Sequence, residues 1–134
     1  MTLKQAVKDG FKHYAGFDGR STRASFWYWQ LFQFLAVVVW VVVRAILAAI
    51  GGPLGLLALV FSLIFMVFWL GLIVPSLALV FRRLHDTGHS AWWILLSLTG
   101  IGGILLLVWY CTPSQPGSNK YGPNPLEPDV QTVF

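Results

Sequence analysis

Few residues in this chain could do chemistry, and they cluster. Phe81-Arg82-Arg83-Leu84-His85-Asp86-Thr87-Gly88-His89-Ser90 is the densest polar stretch of the 134 residues. Asp86 is the one acid in it, beside two arginines, and guanidinium geometry favours bidentate pairing with a carboxylate. Asp18-Gly19-Arg20-Ser21-Thr22-Arg23 is the second such stretch. Arg20, Arg23, Arg82, Arg83, His85 and Asp86 can be read in two ways. They form either a polar cap of ion pairs and helix caps or a basic pocket for a phosphate headgroup. The four arginines outnumber Asp18 and Asp86 by two, four minus two, which favours an anion nearby. Arginine at an inner membrane interface is ordinary, however, and puts the structural reading first.

Other chemistries find little support. His85 and His89 are four apart, and Asp86 or His13 could supply the third ligand that zinc needs. Gly88 interrupts the helix that would align them, so no metal site is expected. No nucleophile elbow, phosphate loop or dinucleotide fingerprint occurs. Only five carboxylates exist in the whole chain, and none lies inside an apolar run to relay protons. The expectation is a protein with no catalytic, cofactor-binding or metal-binding residues.

The elements that must position the polar cluster are apolar. Phe26–Ile50, Leu54–Phe81 and Ala91–Cys111 each exceed the roughly 20 residues a helix needs to cross about 30 Å of hydrocarbon. Within a bilayer only helices and closed barrels satisfy their own backbone. Hydrophobic residues make up 57% of the chain and charged ones 10%, against about 25% charged in soluble domains. The pattern predicts an all-α membrane protein of one domain with three transmembrane helices. Residues 1–25 form a cytoplasmic amphipathic and loop segment, 26–50 the first span, and 54–81 the second. Residues 91–111 form the third span and 112–134 an extracytoplasmic tail. Pro75 removes a backbone donor and should break the second span. Four prolines and two glycines make the stretch from Thr112 to Pro125 irregular.

Charge sets the expected orientation. Lys4, Lys8, Lys12, Arg20, Arg23, Arg82 and Arg83 are seven of the nine basic residues. With three spans they share one side, which should be the cytoplasm. Phe26, Trp27, Tyr28, Trp29, Trp92 and Trp93 would mark that inner level, with Trp109 and Tyr110 at the outer one. Arg44 would then lie near the outer interface, within reach of Glu127 and Asp129. Residues 2–14 read as a helix lying on the membrane, with Thr2 and Gln5 at capping-box spacing. Leu3, Val7, Phe11 and Tyr14 fall on one face and Lys4, Lys8 and Lys12 on a neighbouring one. The +4 net charge therefore suggests anionic phospholipid as partner, and no basic patch with base-stacking aromatics points to nucleic acid. A lone Cys111 excludes an internal disulfide.

Three segments together resemble a known family. Phe17-Asp-Gly-Arg-Ser-Thr-Arg-Ala-Ser-Phe-Trp-Tyr-Trp29 precedes the first run, and Arg82-Arg-Leu-His-Asp-Thr-Gly-His-Ser-Ala-Trp-Trp93 joins the second to the third. Pro116-Gly-Ser-Asn-Lys-Tyr-Gly-Pro-Asn-Pro125 closes the pattern. Their order and spacing resemble the small bacterial inner-membrane family called domain of unknown function 805, the YhaH-like proteins. The sequence departs from that pattern at Ala91, more often Gly, and at His89, often Arg. The second departure argues further against a histidine metal site. The resemblance implies membrane location and fold and brings no activity with it. The expected role is structural, adaptor-like or regulatory in the bacterial inner (plasma) membrane, not enzymatic, with a homo-oligomer or a membrane-protein partner. The alternative is an anionic-lipid-binding or small-solute transport component. Three spans are too few to enclose a pore, so transport would require self-association.

Overall fold

The sequence pattern yields helices wherever the apolar runs lie. The structure, a computed structural model, describes residues 1–126. Five α-helices and one 3₁₀-helix follow one another: α1 (Leu3–Lys12), α2 (Arg23–Ile50), α3 (Pro53–Gly71), α4 (Ile73–Asp86), the 3₁₀-helix (Ala91–Leu98) and α5 (Gly100–Cys111). Among the described residues the only β feature is an isolated bridge, Asn119–Gly122. The chain divides into two units, Gln30–Ile73 and the remainder.

The Gln30–Ile73 unit is a helical hairpin of α2 and α3, turned by Gly51 and Gly52 at φ +74° and +60°, where side chains other than glycine are strained. Trp40 stacks on Phe65 at 5.0 Å and Phe65 on Trp69 at 5.7 Å, so aromatic rings join the two helices. Arg44 lies over the Trp40 ring at 5.7 Å. Its expected acidic neighbours, Glu127 and Asp129, fall outside the described residues. Val39, Leu56 and Val67 are 59%, 67% and 67% exposed. An apolar face of that extent in so small a hairpin belongs against lipid or protein rather than water. α2 and the α3–α4 pair are both long and apolar enough to cross a membrane, with mean hydropathies of 2.4 and 2.8.

The break in the second run falls at Leu72, three residues before Pro75. Pro75 has no N–H to give, and its ring crowds the preceding turn, so α4 restarts with the proline in its first turn, where it is tolerated. In the other unit α4 packs against the start of α2 and against α1. Trp29 is the hub. It is fully buried, its Nε1 donates to Ser76 Oγ at 3.1 Å, and Phe11 meets it edge-on at 5.4 Å. α1 carries the expected capping box of Thr2 and Gln5. It docks through its small residues, Ala6 and Gly10, joined by Phe11 from the stripe expected to face the membrane. Phe11 and Tyr14 remain 43% and 40% exposed.

The third run differs most from expectation. A single helix from His89 to Trp109 would separate those residues by about 30 Å at 1.5 Å per residue. Their rings instead stack at 3.7 Å, and Trp93 meets Trp109 edge-on at 5.6 Å. The run is a hairpin, the 3₁₀-helix leading out and α5 returning. Thr99 makes the turn with extended backbone (φ −111°, ψ 145°). Its hydroxyl accepts from Gly102 N at 3.0 Å and donates to Leu96 O at 2.9 Å, an N-cap in the usual sense. Gly102 is pressed onto the outgoing arm, where a Cβ would stand 2.3 Å from Leu96 O. At 12 residues α5 spans about 18 Å, too little to cross hydrocarbon. The described tail therefore returns to the polar loop, and Gln115 N donates to Asp86 O at 2.9 Å. Trp109 and Tyr110 likewise rejoin the aromatics expected at the opposite level, with Tyr110 4.6 Å from Phe26 and Trp109 5.6 Å from Trp93.

Candidate functional site

The C-terminal end of α4 delivers Arg82, Arg83, His85 and Asp86 to the polar end of the larger unit. Residues three apart on a helix share a face, and Arg83 and Asp86 do so. Arg83 Nη1 donates to Asp86 Oδ2 at 2.5 Å, and both side chains are fully buried. Arg20 arrives from the loop before α2, and its Nε donates to Asp86 Oδ1 at 3.0 Å. Ser114 Oγ donates to Asp86 Oδ2 at 2.5 Å. One carboxylate thus joins two buried arginines and the tail.

Arg20 shows why the position suits arginine. Its Nη1 donates to Gly117 O at 2.7 Å and Gly122 O at 3.4 Å. Its Nη2 donates to Gln115 O at 2.5 Å and Asp86 O at 3.3 Å. The planar fork of five N–H groups reaches a carboxylate and four carbonyls at once, which an ammonium cannot do. The tail adopts this cradle through turns at Gly117 and Gly122, at φ +67° and +132°. Gly88 permits the approach on the other side. It sits at φ +80°, and a Cβ there would lie 2.7 Å from Gln115 Oε1.

The second arginine closes the end of α5. A helix leaves its last four carbonyls without intrahelical partners, and each one here has a donor. Thr112 Oγ1 reaches Val108 O at 2.8 Å and Thr112 N reaches Trp109 O at 3.2 Å. Arg83 and Trp27 Nε1 both reach Tyr110 O at 3.2 Å, and Arg23 reaches Cys111 O at 3.1 Å. Arg83 Nη2 also donates to Thr112 O. The partial negative charge of a helix C-terminus offsets part of the +1 left when one carboxylate faces two guanidiniums.

His85 and His89 turn to different partners. His85 Nδ1 bonds Gly19 O at 3.0 Å, and its ring stacks on Tyr121 at 4.1 Å. Asn119 Nδ2 donates to the His85 carbonyl at 3.0 Å. His89 Nδ1 meets Thr87 Oγ1 at 3.0 Å while its ring lies on Trp109. Burial there lowers the His89 pKa below the ordinary 6.5, because the charged form is desolvated. Among the described residues no three His, Cys, Asp or Glu side chains could hold a metal ion.

Arg82 stands apart from this knot. Neighbouring helix positions differ by about 100°, so it faces α1 while Arg83 faces Asp86. Its backbone carbonyl accepts from Ser21 N at 3.0 Å, and its Nε reaches Ala78 O at 3.4 Å. Asp9 is 3.9 Å from Nη1, and Nη2 is buried without a partner among the described residues. The six residues singled out by sequence therefore divide. Arg20, Arg83, Asp86 and His85 form the knot, Arg23 caps α5, and Arg82 lines a cavity on the other side. Ser114, Gln115, Gly117, Asn119 and Tyr121 were missed because a through-going third helix would carry them away. The Thr99-Gly100-Ile101-Gly102 stretch, a cap followed by glycines inside an apolar run, was the available signal of the turn.

Residues 14–123 match a family described as Protein of unknown function (DUF805). The chain is 37% identical over 115 residues to Inner membrane protein YhaI of Escherichia coli (strain K12), covering 85% of this chain and 89% of that protein. It is 38% identical over 122 residues to Inner membrane protein YhaH of the same strain, covering 87% and 93%. No solved structure matches the chain.

Proposed function

The chain belongs to the DUF805 family, and from that premise we propose a non-enzymatic inner-membrane protein in which the Asp86 knot holds a fixed polar cap for a structural, adaptor or regulatory role. The observation that carries this reading is the complete internal use of the knot. Asp86, Arg20 and Arg83 are at most 1% exposed as side chains, and their donors and acceptors go to the chain itself. A reactive site keeps a group open to substrate, whereas these groups hold segments together.

The topology that fits this cap has two spans and a re-entrant hairpin rather than three spans. Leu98 and Ile101, 83% and 86% exposed at the hairpin tip, suit hydrocarbon. The break behind them is satisfied internally, since Thr99 N donates to Leu96 O at 3.0 Å and Gly103 N to Thr99 O at 3.1 Å, as membrane depth demands. The N-terminal segment, the Arg82–Ser90 loop and the described tail then share the cytoplasmic side. Lys120 joins the other basic residues there, leaving only Arg44 of nine elsewhere and sharpening the charge asymmetry.

Two measurements test this. A periplasm-dependent reporter should be active at Gly52 and silent after Phe134; activity after Phe134 refutes the two-span reading. Native mass spectrometry from mild detergent should show a membrane-protein partner at fixed stoichiometry. Solute flux in liposomes holding only this chain would refute the adaptor reading in favour of transport.

A further inference from the structure

Beside the knot lies a cavity of ≈ 320 Å³ walled by Asp9, Asp18, Arg20, Ser25 and Arg82, within the range of about 300–1,000 Å³ usual for small-molecule sites. Two polar atoms of its lining residues are buried without any partner among the described residues, Arg82 Nη2 and Ser25 Oγ. The Arg82 residue is 4% exposed and Ser25 3%. Orphaned polar atoms are uncommon, and each costs free energy until something bonds it. A guanidinium donor beside a hydroxyl donor is the combination that receives a phosphate or carboxylate oxygen.

Charge across the cavity narrows the ligand. Arg20 is already taken by Asp86 and the tail carbonyls, which leaves Arg82 as the buried side-chain cation on offer, with Met1 and His13 also lining the cavity. Opposite it stand two carboxylates. Asp9 lies 3.9 Å from Arg82 Nη1 and 3.1 Å from the more exposed His13 Nδ1, and Asp18 makes no ion pair among the described residues. A bare phosphate dianion would meet repulsion from both. A ligand carrying its own cation near the phosphate would satisfy both walls, its phosphate on Arg82 and Ser25 and its ammonium at Asp9 and Asp18.

We propose that this cavity binds an aminoalkyl phosphate zwitterion, either the headgroup of an ethanolamine phospholipid or its soluble counterpart. Arg20 of the knot only walls the cavity and its donors stay on Asp86 and the tail, so the site stands or falls separately from the knot and from an adaptor role.

The test is titration of the full chain, in phospholipid-free detergent, with O-phosphoethanolamine and with inorganic phosphate. O-Phosphoethanolamine should bind saturably at one site and at least tenfold tighter than phosphate. Arg82→Gln should weaken it at least tenfold. Asp18→Asn, at an exposed position and so compatible with folding, should reduce the preference over phosphate at least fivefold. Ser25→Ala serves where Arg82→Gln does not fold. A second arm places the chain in nanodiscs of mixed phosphatidylethanolamine and phosphatidylglycerol and identifies the retained lipid by native mass spectrometry. Retained phosphatidylethanolamine lost in Arg82→Gln, or in Ser25→Ala, names the lipid as source; soluble binding alone names the free phosphate ester. Equal affinity for both soluble ligands, an unchanged preference in Asp18→Asn, or no binding in either arm overturns the proposal.

Discussion

Asp86→Asn keeps the shape of the side chain and removes its charge, leaving Arg20 and Arg83 with no carboxylate between them. Both guanidiniums are essentially out of water, 1% and 0% exposed, so solvent cannot replace what is lost. Breaking a buried ion pair costs about 3–5 kcal/mol, because an uncompensated charge stays behind. That is a large part of the 5–15 kcal/mol by which domains are stable. The carbonyls of Gln115, Gly117 and Tyr110 still accept from the arginines, which places the cost within that range rather than beyond it. Asp9→Asn is the internal comparison. Its carboxylate is 32% exposed and 3.9 Å from Arg82, a pair worth about 0–1 kcal/mol. Denaturant unfolding in mixed micelles, followed by tryptophan fluorescence, measures both, and limited proteolysis reports whether the tail has left the knot. Asp86→Asn should lose about 3–5 kcal/mol and expose the bonds between Thr112 and Lys120. A loss below about 1 kcal/mol, equal to that of Asp9→Asn and with the tail still protected, would refute the view that this carboxylate neutralises the arginines.

The hairpin should depend on Gly102. Gly102→Val puts a side chain where Leu96 O already lies 2.3 Å away, which should cost at least the 1–3 kcal/mol typical of overpacking and move a spectroscopic distance between labels at residues 89 and 109 from contact toward separation. Gly10→Ala should cost a similar amount in thermal unfolding, because its Cβ would stand 2.3 Å from the Trp29 ring. Arg20→Lys should release the tail to proteolysis even though the charge is kept, since an ammonium cannot reach a carboxylate and four carbonyls. Burial lowers the His89 pKa below the ordinary 6.5, because the charged form is desolvated. Protonation therefore favours the unfolded chain. Its contribution to stability is complete above pH 6.5 and falls as pH drops toward the lowered value. Unfolding curves of wild type and His89→Phe between pH 7 and 5 should diverge in that sense, and parallel curves would contradict it.

Sequence by itself determined the class of this protein and its local devices. Mean apolarity over 20 residues measures a transfer free energy, and no soluble fold could hide runs of that length in so short a chain. The Thr2–Gln5 capping box, the interruption at Gly88 and a helix break near Pro75 depend on neighbours within a few residues, so they were legible in advance. Helical spacing also holds part of the knot. Arg83 and Asp86 three apart share a face, and Arg82 beside them cannot. Tertiary structure alone decided which way the third run travels. Hydropathy has no direction, and a 21-residue apolar run scores alike as one crossing or as two short arms folded together. The choice lay in a close approach of Gly102 to Leu96 and in the stacking of His89 on Trp109, contacts between residues that no periodicity links. Once the run turned back, the tail could supply carbonyls to Arg20 and a hydroxyl to Asp86, and one carboxylate could serve two arginines. Such a knot joins positions 20, 83, 86 and 114–122 through geometry fixed only when all of them are folded together.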